Sequence, residues 1–219
     1  MGVRRVGVSE LRLPPDESTT AQLARKRALL SSRRHELVVG DPDPAYEAWQ
    51  DDVVVLARRG GTFVMTAGCV CFPSFWSPRA KLGHTLADIH GPVPRYDDEL
   101  RAKVDTFVAR MPPGAVYVRR NWTIHETGEL CKPHPPPPAD TSIPPDSLWL
   151  RSERQSLRVD PDTGVLLFVI RTQQTPMATL QHRPDIAGRL ADRLAAQPAD
   201  KDYAPHVPAL VRRLATWRR

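Results

Sequence analysis

A chain of 219 residues with 41% hydrophobic side chains can bury a core, so wholesale disorder is excluded, and one domain with an N-terminal arm is the natural organisation. The net charge of +6 and pI near 9.6 raise nucleic-acid binding. The basic residues are nevertheless spread along the chain, and their clusters at Arg25–Arg34 and Arg212–Arg219 fall on predicted helices without any zinc-finger, homeodomain or aromatic RNA-binding signature. A solvated face, or docking to an acidic protein, fits them better than nucleic acid.

Residues 1–40 read as an arm followed by a helix, which Ser18, Thr19 and Thr20 can cap and which carries Leu23, Arg27 and Leu30 on neighbouring turns to about Arg34. Asp41-Pro42-Asp43-Pro44 breaks the chain before a short helix over Ala45–Asp51, and residues 41–219 form the main domain. Asp52–Arg58 and Phe63–Cys71 are strands joined at Gly60-Gly61, a connection that implies antiparallel pairing. Cys69 and Cys71 then share one strand face as small core side chains, and with Cys131 they lack zinc-site spacing. A helix through Lys81–Ile89 should stop at His90, because Gly91-Pro92-Val93-Pro94 follows. That imidazole, at a stiff corner beside Leu86, Ala87 and Ile89, either caps the last carbonyls or ligates a large flat cofactor.

Asp97 opens a helix whose Leu100, Val104, Phe107, Val108 and Met111 form one apolar stripe, ended by Pro112-Pro113-Gly114. Ala115–Ile124 alternates as a strand, with Arg120 and Asn121 among apolar neighbours. The proline-rich run between Lys132 and Pro145 reads as a stiff surface loop of polyproline character. Strands follow at Leu148–Val159 and Val165–Thr172, the latter central in its sheet, separated by a turn at Asp160–Gly164. Helices marked by Ile186, Leu190 and Leu194, and by Val207, Leu210, Val211, Leu214 and Trp217, complete the chain. About five strands with helices between and after them make an α+β antiparallel sheet with a helix grip.

No apolar run approaches the roughly 18 residues of a membrane span, and no signal core follows the N-terminal basic residues, so a cytoplasmic location is expected. Searches for P-loop, G-x-G-x-x-G, G-x-S-x-G, H-E-x-x-H and EF-hand patterns fail, which argues against conventional hydrolases and nucleotide enzymes. Charged groups do stand in strand contexts at Arg119-Arg120-Asn121-Trp122, Ser152-Glu153-Arg154-Gln155 and Arg171. Such charges are costly unless paired or used. Glu153 and Arg154 must point to opposite faces, and a salt-bridge network between strands explains them as well as a ligand does.

Taken in order, C-F-P-S-F-W, K-L-G-x-x-L-x-x-I-H-G-P-V-P-x-Y, R-x-N-W-T-I, L-R-S-E-R-Q-S-L-R and V-I-R-T, from about Asp51 to Trp217, resemble the α (oxygenase) subunit of haem-dependent oxidative N-demethylase, also described as dimethylamine monooxygenase. The resemblance implies a PAS-like, helix-grip domain binding haem b, and oxidative demethylation of a small amine with O₂. No flavin or iron–sulfur motif is present, so NADPH, flavin and iron–sulfur chemistry would belong to a partner reductase. His90 becomes the first candidate for the axial iron ligand, ahead of His84 and His125. Arg79, Lys81, Arg120 or Arg154 could pair with haem propionates, and Trp76 and Trp122 could pack on the macrocycle. Glu153 could bind a cationic amine or relay protons. A non-catalytic haem-binding sensor or carrier on the same scaffold is the competing expectation.

Overall fold

The computed structural model describes residues 2–14, 19–91 and 100–218. Its strands are β1 (Arg4–Val6), β2 (Val38–Val39), β3 (Asp52–Arg59), β4 (Thr62–Cys69), β5 (Val116–His125), β6 (Trp149–Val159) and β7 (Leu166–Pro176). Its helices are α1 (Thr19–Leu37), α2 (Pro78–Lys81), α3 (Leu86–His90), α4 (Arg101–Ala109), α5 (Pro184–Ala195) and α6 (Val207–Thr216). The strands form one antiparallel sheet in the order β1-β5-β6-β7-β3-β4-β2. The α+β class therefore holds, but the sheet has seven strands rather than about five. The two additions, β1 and β2, are edge strands of three and two residues, too short to leave a period-2 signal in the sequence.

Gly60 (φ 55°) and Gly61 (φ 85°) make the β3–β4 turn that the Gly-Gly pair implied, and β7 is flanked by β6 and β3 as a central strand. Two helix expectations are corrected. Residues 45–51 form a 3₁₀ turn at Pro44–Ala48 rather than an α-helix. The helix expected through Lys81–Ile89 is broken into α2 and α3. Gly83 between them has φ 82°, donates its N–H to Met65 O at 2.8 Å, and His84 O accepts from Met65 N at 3.0 Å. Pairing with the β4 edge thus outcompetes helix continuation, and only glycine meets that φ without strain. The expected start of the α4 helix at Asp97 lies outside the described residues.

The chain separates into two compact units, one of Met1–Asn121, Cys131–His134 and Glu153–Thr172, the other of Trp122–Leu130, Pro135–Ser152 and Gln173–Arg219. In the first, Val54, Leu56, Phe63, Met65, Val159 and Leu166 form a sheet-borne core against Val108, Met111, Val104, Phe107, Leu86, Ile89 and Trp76. Cys69 and Cys71 are wholly buried, as their spacing implied, and Asp52 accepts the backbone N–H groups of Cys71 and Phe72 at 2.8 and 2.9 Å.

Polar staples hold the N-terminal arm and α1. The arm's carbonyls are taken in succession: Glu10 O by Arg154 Nη2 (2.6 Å), Leu11 O by the Ser156 hydroxyl (2.6 Å), and Leu13 O and Pro14 O by Arg171 (3.1 and 3.3 Å). Arg171 also donates to both Asp51 oxygens, at 2.8 and 3.1 Å, with the two side chains 3% and 1% exposed. On α1 the buried positions are Gln22, Lys26 and Leu37, whereas Leu23, Arg27 and Leu30, read from the sequence as lying on neighbouring turns, are not buried. Lys26 Nζ donates to Tyr46 O and Asp51 O, each at 2.9 Å, and Gln22 bridges Gln50 and Thr172 O.

The second unit is built around α5 and α6. Ala187, Leu190, Ala191 and Leu194 of α5 meet Leu210 and Leu214 of α6 over Ile124, Leu148, Met177 and Leu180, which is the amphipathic pairing read from the sequence. Ion pairs Arg213–Asp146 and Arg218–Asp192 fasten its surface, and His206 lies 2.8 Å from Glu126. The prolines at 135–138 carry no regular structure and are largely exposed.

Breaking the Asp51–Arg171 pair from one side leaves a buried charge uncompensated. Arg171→Leu or Asp51→Ala is expected to lower stability by about 3–5 kcal/mol in urea unfolding, with the apolar double replacement costing less than the sum of the single changes.

Candidate functional site

The candidate residues of the first unit start where the chain leaves β4. In Cys71–Trp76, Phe75 has φ 62°, the sole positive φ at a non-glycine among the described residues. It is held there by Phe75 N–H to Lys132 O (2.6 Å) and Lys132 N–H to Pro73 O (2.9 Å). A non-glycine in this region is uncommon and needs surrounding structure to persist. The turn delivers Trp76 to the edge of the first core.

Helix α3 is short but well founded. The Thr85 hydroxyl accepts from Asp88 N at 3.2 Å while Asp88 Oδ2 accepts from Thr85 N at 3.2 Å, a complete capping box. Bonds from the Thr85 hydroxyl and backbone hold the Asp88 carboxyl below its ordinary pKa. At the other end His90 closes the helix, as the prolines beyond it implied. Its Nδ1 lies 2.8 Å from Leu86 O. A carbonyl only accepts, so Nδ1 carries the proton and Nε2 the in-plane lone pair. Burial depresses the His90 pKa, opposed by the Leu86 bond and furthered by the charges of Arg119 and Lys81. The imidazole is therefore neutral at pH 7. Lys81 Nζ donates to Ile89 O at 2.9 Å, tying α2 to the end of α3.

On β5 and β6, strand alternation sorts the charged residues by face. Tyr117, beside Phe107 at a ring distance of 5.1 Å, joins the core under α4, as does Leu157. Arg119 shares the Tyr117 face, and Glu153 and Gln155 share the Leu157 face. Arg119 Nε donates to Gln155 Oε1 at 2.6 Å, and Gln155 Nε2 donates to Glu153 Oε2 at 2.8 Å. Arg119 is exposed overall, and desolvation of part of its side chain lowers its pKa, with Glu153 opposing the shift. An open hollow of about 630 Å³ between α4 and β5 is lined by Ala102, Lys103, Thr106, Phe107, Arg110, Met111 and Tyr117. It is open to solvent, and His90 is not part of its described lining.

Of the residues singled out in the sequence, His90, Lys81, Trp76 and Glu153 thus belong to one face of the first unit. Arg120 and Arg154 alternate to the other face, where Arg154 is spent on Glu10 O and the Ser156 hydroxyl. Arg79 is exposed and donates to His35 O at 2.9 Å. Trp122 is in the second unit, its ring 6.0 Å from that of Tyr203, and His125 is buried there. His84 lies exposed in the turn before α3. Sequence reasoning missed the roles of Arg119 and Gln155. The signal was present in the strand period, since Arg119 alternates with Tyr117 and is the arginine of R-x-N-W-T-I.

The family described as haem-dependent oxidative N-demethylase, alpha subunit-like, matches residues 16–203, and the chain belongs to that family. No curated protein matches it. The family's description carries haem dependence and likeness to an alpha subunit. The first unit's donor set fits such a group. A haem iron takes one or two protein ligands, so the lack of any cluster of three His, Cys, Asp or Glu side chains among the described residues is no obstacle. His90 has the neutral tautomer a ligand requires, its other nitrogen fixed by a backbone carbonyl. No helix among the described residues is long and apolar enough to cross a membrane.

The capping box fixes the helix that carries His90, so Thr85→Ala is expected to cost about 1 kcal/mol in urea unfolding. Asp88's lowered pKa means that its contribution is present at neutral pH and lost as pH falls through the folded value. In Thr85→Ala the Asp88 pKa, followed by NMR titration, should rise towards its ordinary range.

Proposed function

We propose that this chain, as a member of that family, is a haem b-binding oxygenase subunit that removes a methyl group from a small secondary amine. The overall change consumes one O₂, two electrons and two protons, and releases formaldehyde, the demethylated amine and water. Bound haem would supply O₂ binding and activation, and the electrons would come from a separate reductase. The observation that supports this reading most directly is His90, neutral, partly buried and tautomerically fixed at the end of a capped helix.

The chain's own residues would do the holding and the aiming. His90 Nε2 would hold the haem iron. Nδ1–H on the Leu86 carbonyl fixes the ring plane and raises the basicity of the opposite nitrogen. Lys81, which ties its helix to Ile89 O, is assigned to a propionate in preference to Arg79 or Arg120, and Trp76 to the edge of the macrocycle. Trp122 is given no macrocycle role. Glu153, half-buried and bonded through Gln155 to Arg119, would bind a protonated amine or hold a proton near it. Arg154 would act by fixing the strand that carries Glu153. A PAS-like classification and a cytoplasmic location belong to the same proposal.

Protein expressed with a haem precursor should show a stoichiometric Soret band that shifts or disappears in His90→Ala. With a reductase and NADPH, the wild type should release formaldehyde from a secondary methylamine, and Glu153→Gln should slow this by about 10²-fold or more. Haem binding without formaldehyde from any methylamine would favour the sensor or carrier reading. A Soret band indifferent to His90 would move the ligand elsewhere.

A further inference from the structure

We infer that Arg119 is a carboxylate clamp on the His90 side of the first unit, its guanidinium aimed by Gln155. This rests on the functional reading above only for where the carboxylate comes from. The guanidinium is planar, so fixing Nε–H fixes the direction of the two Nη groups as well. Nε–H is committed to Gln155 Oε1 at 2.6 Å, and buried Gln155 is itself turned by Glu153 Oε2 at 2.8 Å. Among the described residues, neither Nη1 nor Nη2 of Arg119 has a hydrogen-bond or ion-pair partner.

What stands between Arg119 and Glu153 decides the reading. A direct ion pair would spend the guanidinium fork on Glu153, as Arg171 spends its own on Asp51. Here a neutral amide intervenes, so orientation is passed along without cancelling the positive charge. Two parallel N–H donors on a fixed cation match a carboxylate, which can accept both. The position suits a ligand. Arg119 is two residues from Tyr117 on the same strand face, Tyr117 lines the 630 Å³ hollow, and Tyr117 packs in the same core as Leu86 and Ile89 of the helix that carries His90.

Two carboxylates have this chemistry: a haem propionate, and the carboxylate of an N-methylated amino acid acting as substrate. Ferric haem, its dimethyl ester and N-methylglycine separate them when titrated into the full-length wild type and into Arg119→Gln. If the clamp holds a propionate, the wild type should bind haem about tenfold or more tighter than the diester, and Arg119→Gln should narrow that discrimination to whatever Lys81 supplies. If it holds a substrate carboxylate, Arg119→Gln should bind haem like the wild type but lose the change that N-methylglycine produces in the haem spectrum. Gln155→Leu keeps the charge and releases its aim, so it should weaken the same response by about threefold or more, and it carries the test should Arg119→Gln fail to fold. Unchanged haem-over-diester discrimination and an unchanged N-methylglycine response in the variants would overturn the clamp. If the wild type takes up no haem, the oxygenase reading fails separately. Calorimetric titration of N-methylglycine into apoprotein then decides, with Arg119-dependent binding supporting the clamp and equal or absent binding refuting it.

Discussion

Asp51 and Arg171 meet inside the first unit with both carboxylate oxygens and two guanidinium nitrogens engaged, and nearly no solvent reaches either side chain. Burying opposite charges is tolerable only when geometry and further hydrogen bonds compensate for lost hydration. Here the compensation is structural. The remaining Arg171 donors take the Leu13 and Pro14 carbonyls, and the Asp51 carbonyl receives the Lys26 ammonium from α1. One buried ion pair thus fixes the arm, the first helix and two neighbouring strands, β3 and β7. No side chain of residues 2–14 is buried, so the arm depends on these polar bonds and on the pairing of β1 with β5.

The same unit divides its charges by sheet face. On β6, Arg154 and Ser156 point towards the arm, while Glu153 and Gln155 point the other way and are coupled to Arg119. Residues of similar composition a single position apart therefore serve unrelated ends, one set holding the backbone and the other forming a polar line beside an apolar core. This explains how L-R-S-E-R-Q-S-L-R carries so many charges within a strand: alternate residues satisfy two separate networks.

His90 joins two readings that look like alternatives in the sequence, a helix cap and an iron ligand. An imidazole has two nitrogens, and the cap uses only Nδ1. If His90 holds iron as proposed, the cap prepares it for that role, because it selects the tautomer and fixes the ring. The family match gives that geometry its context.

The sequence by itself determined the elements whose periodicity is long and regular: β3, β4, β5, β6, β7, α5 and α6, together with the stop at His90. Apolar spacing and proline act locally, so a linear chain displays them. It also carried the family, through motifs that survive without knowledge of their contacts. Only the tertiary structure decided what depends on pairing across the chain. The break at Gly83 follows from hydrogen bonds to Met65, eighteen residues earlier. The burial of Gln22 and Lys26 follows from carbonyls and amides on other segments, and the edge strands are too short to announce themselves. Strand alternation told that Glu153 and Arg154 must part, but which of them shares a face with Arg119 was set by the lateral neighbours in the sheet, and those are brought together only when the chain folds.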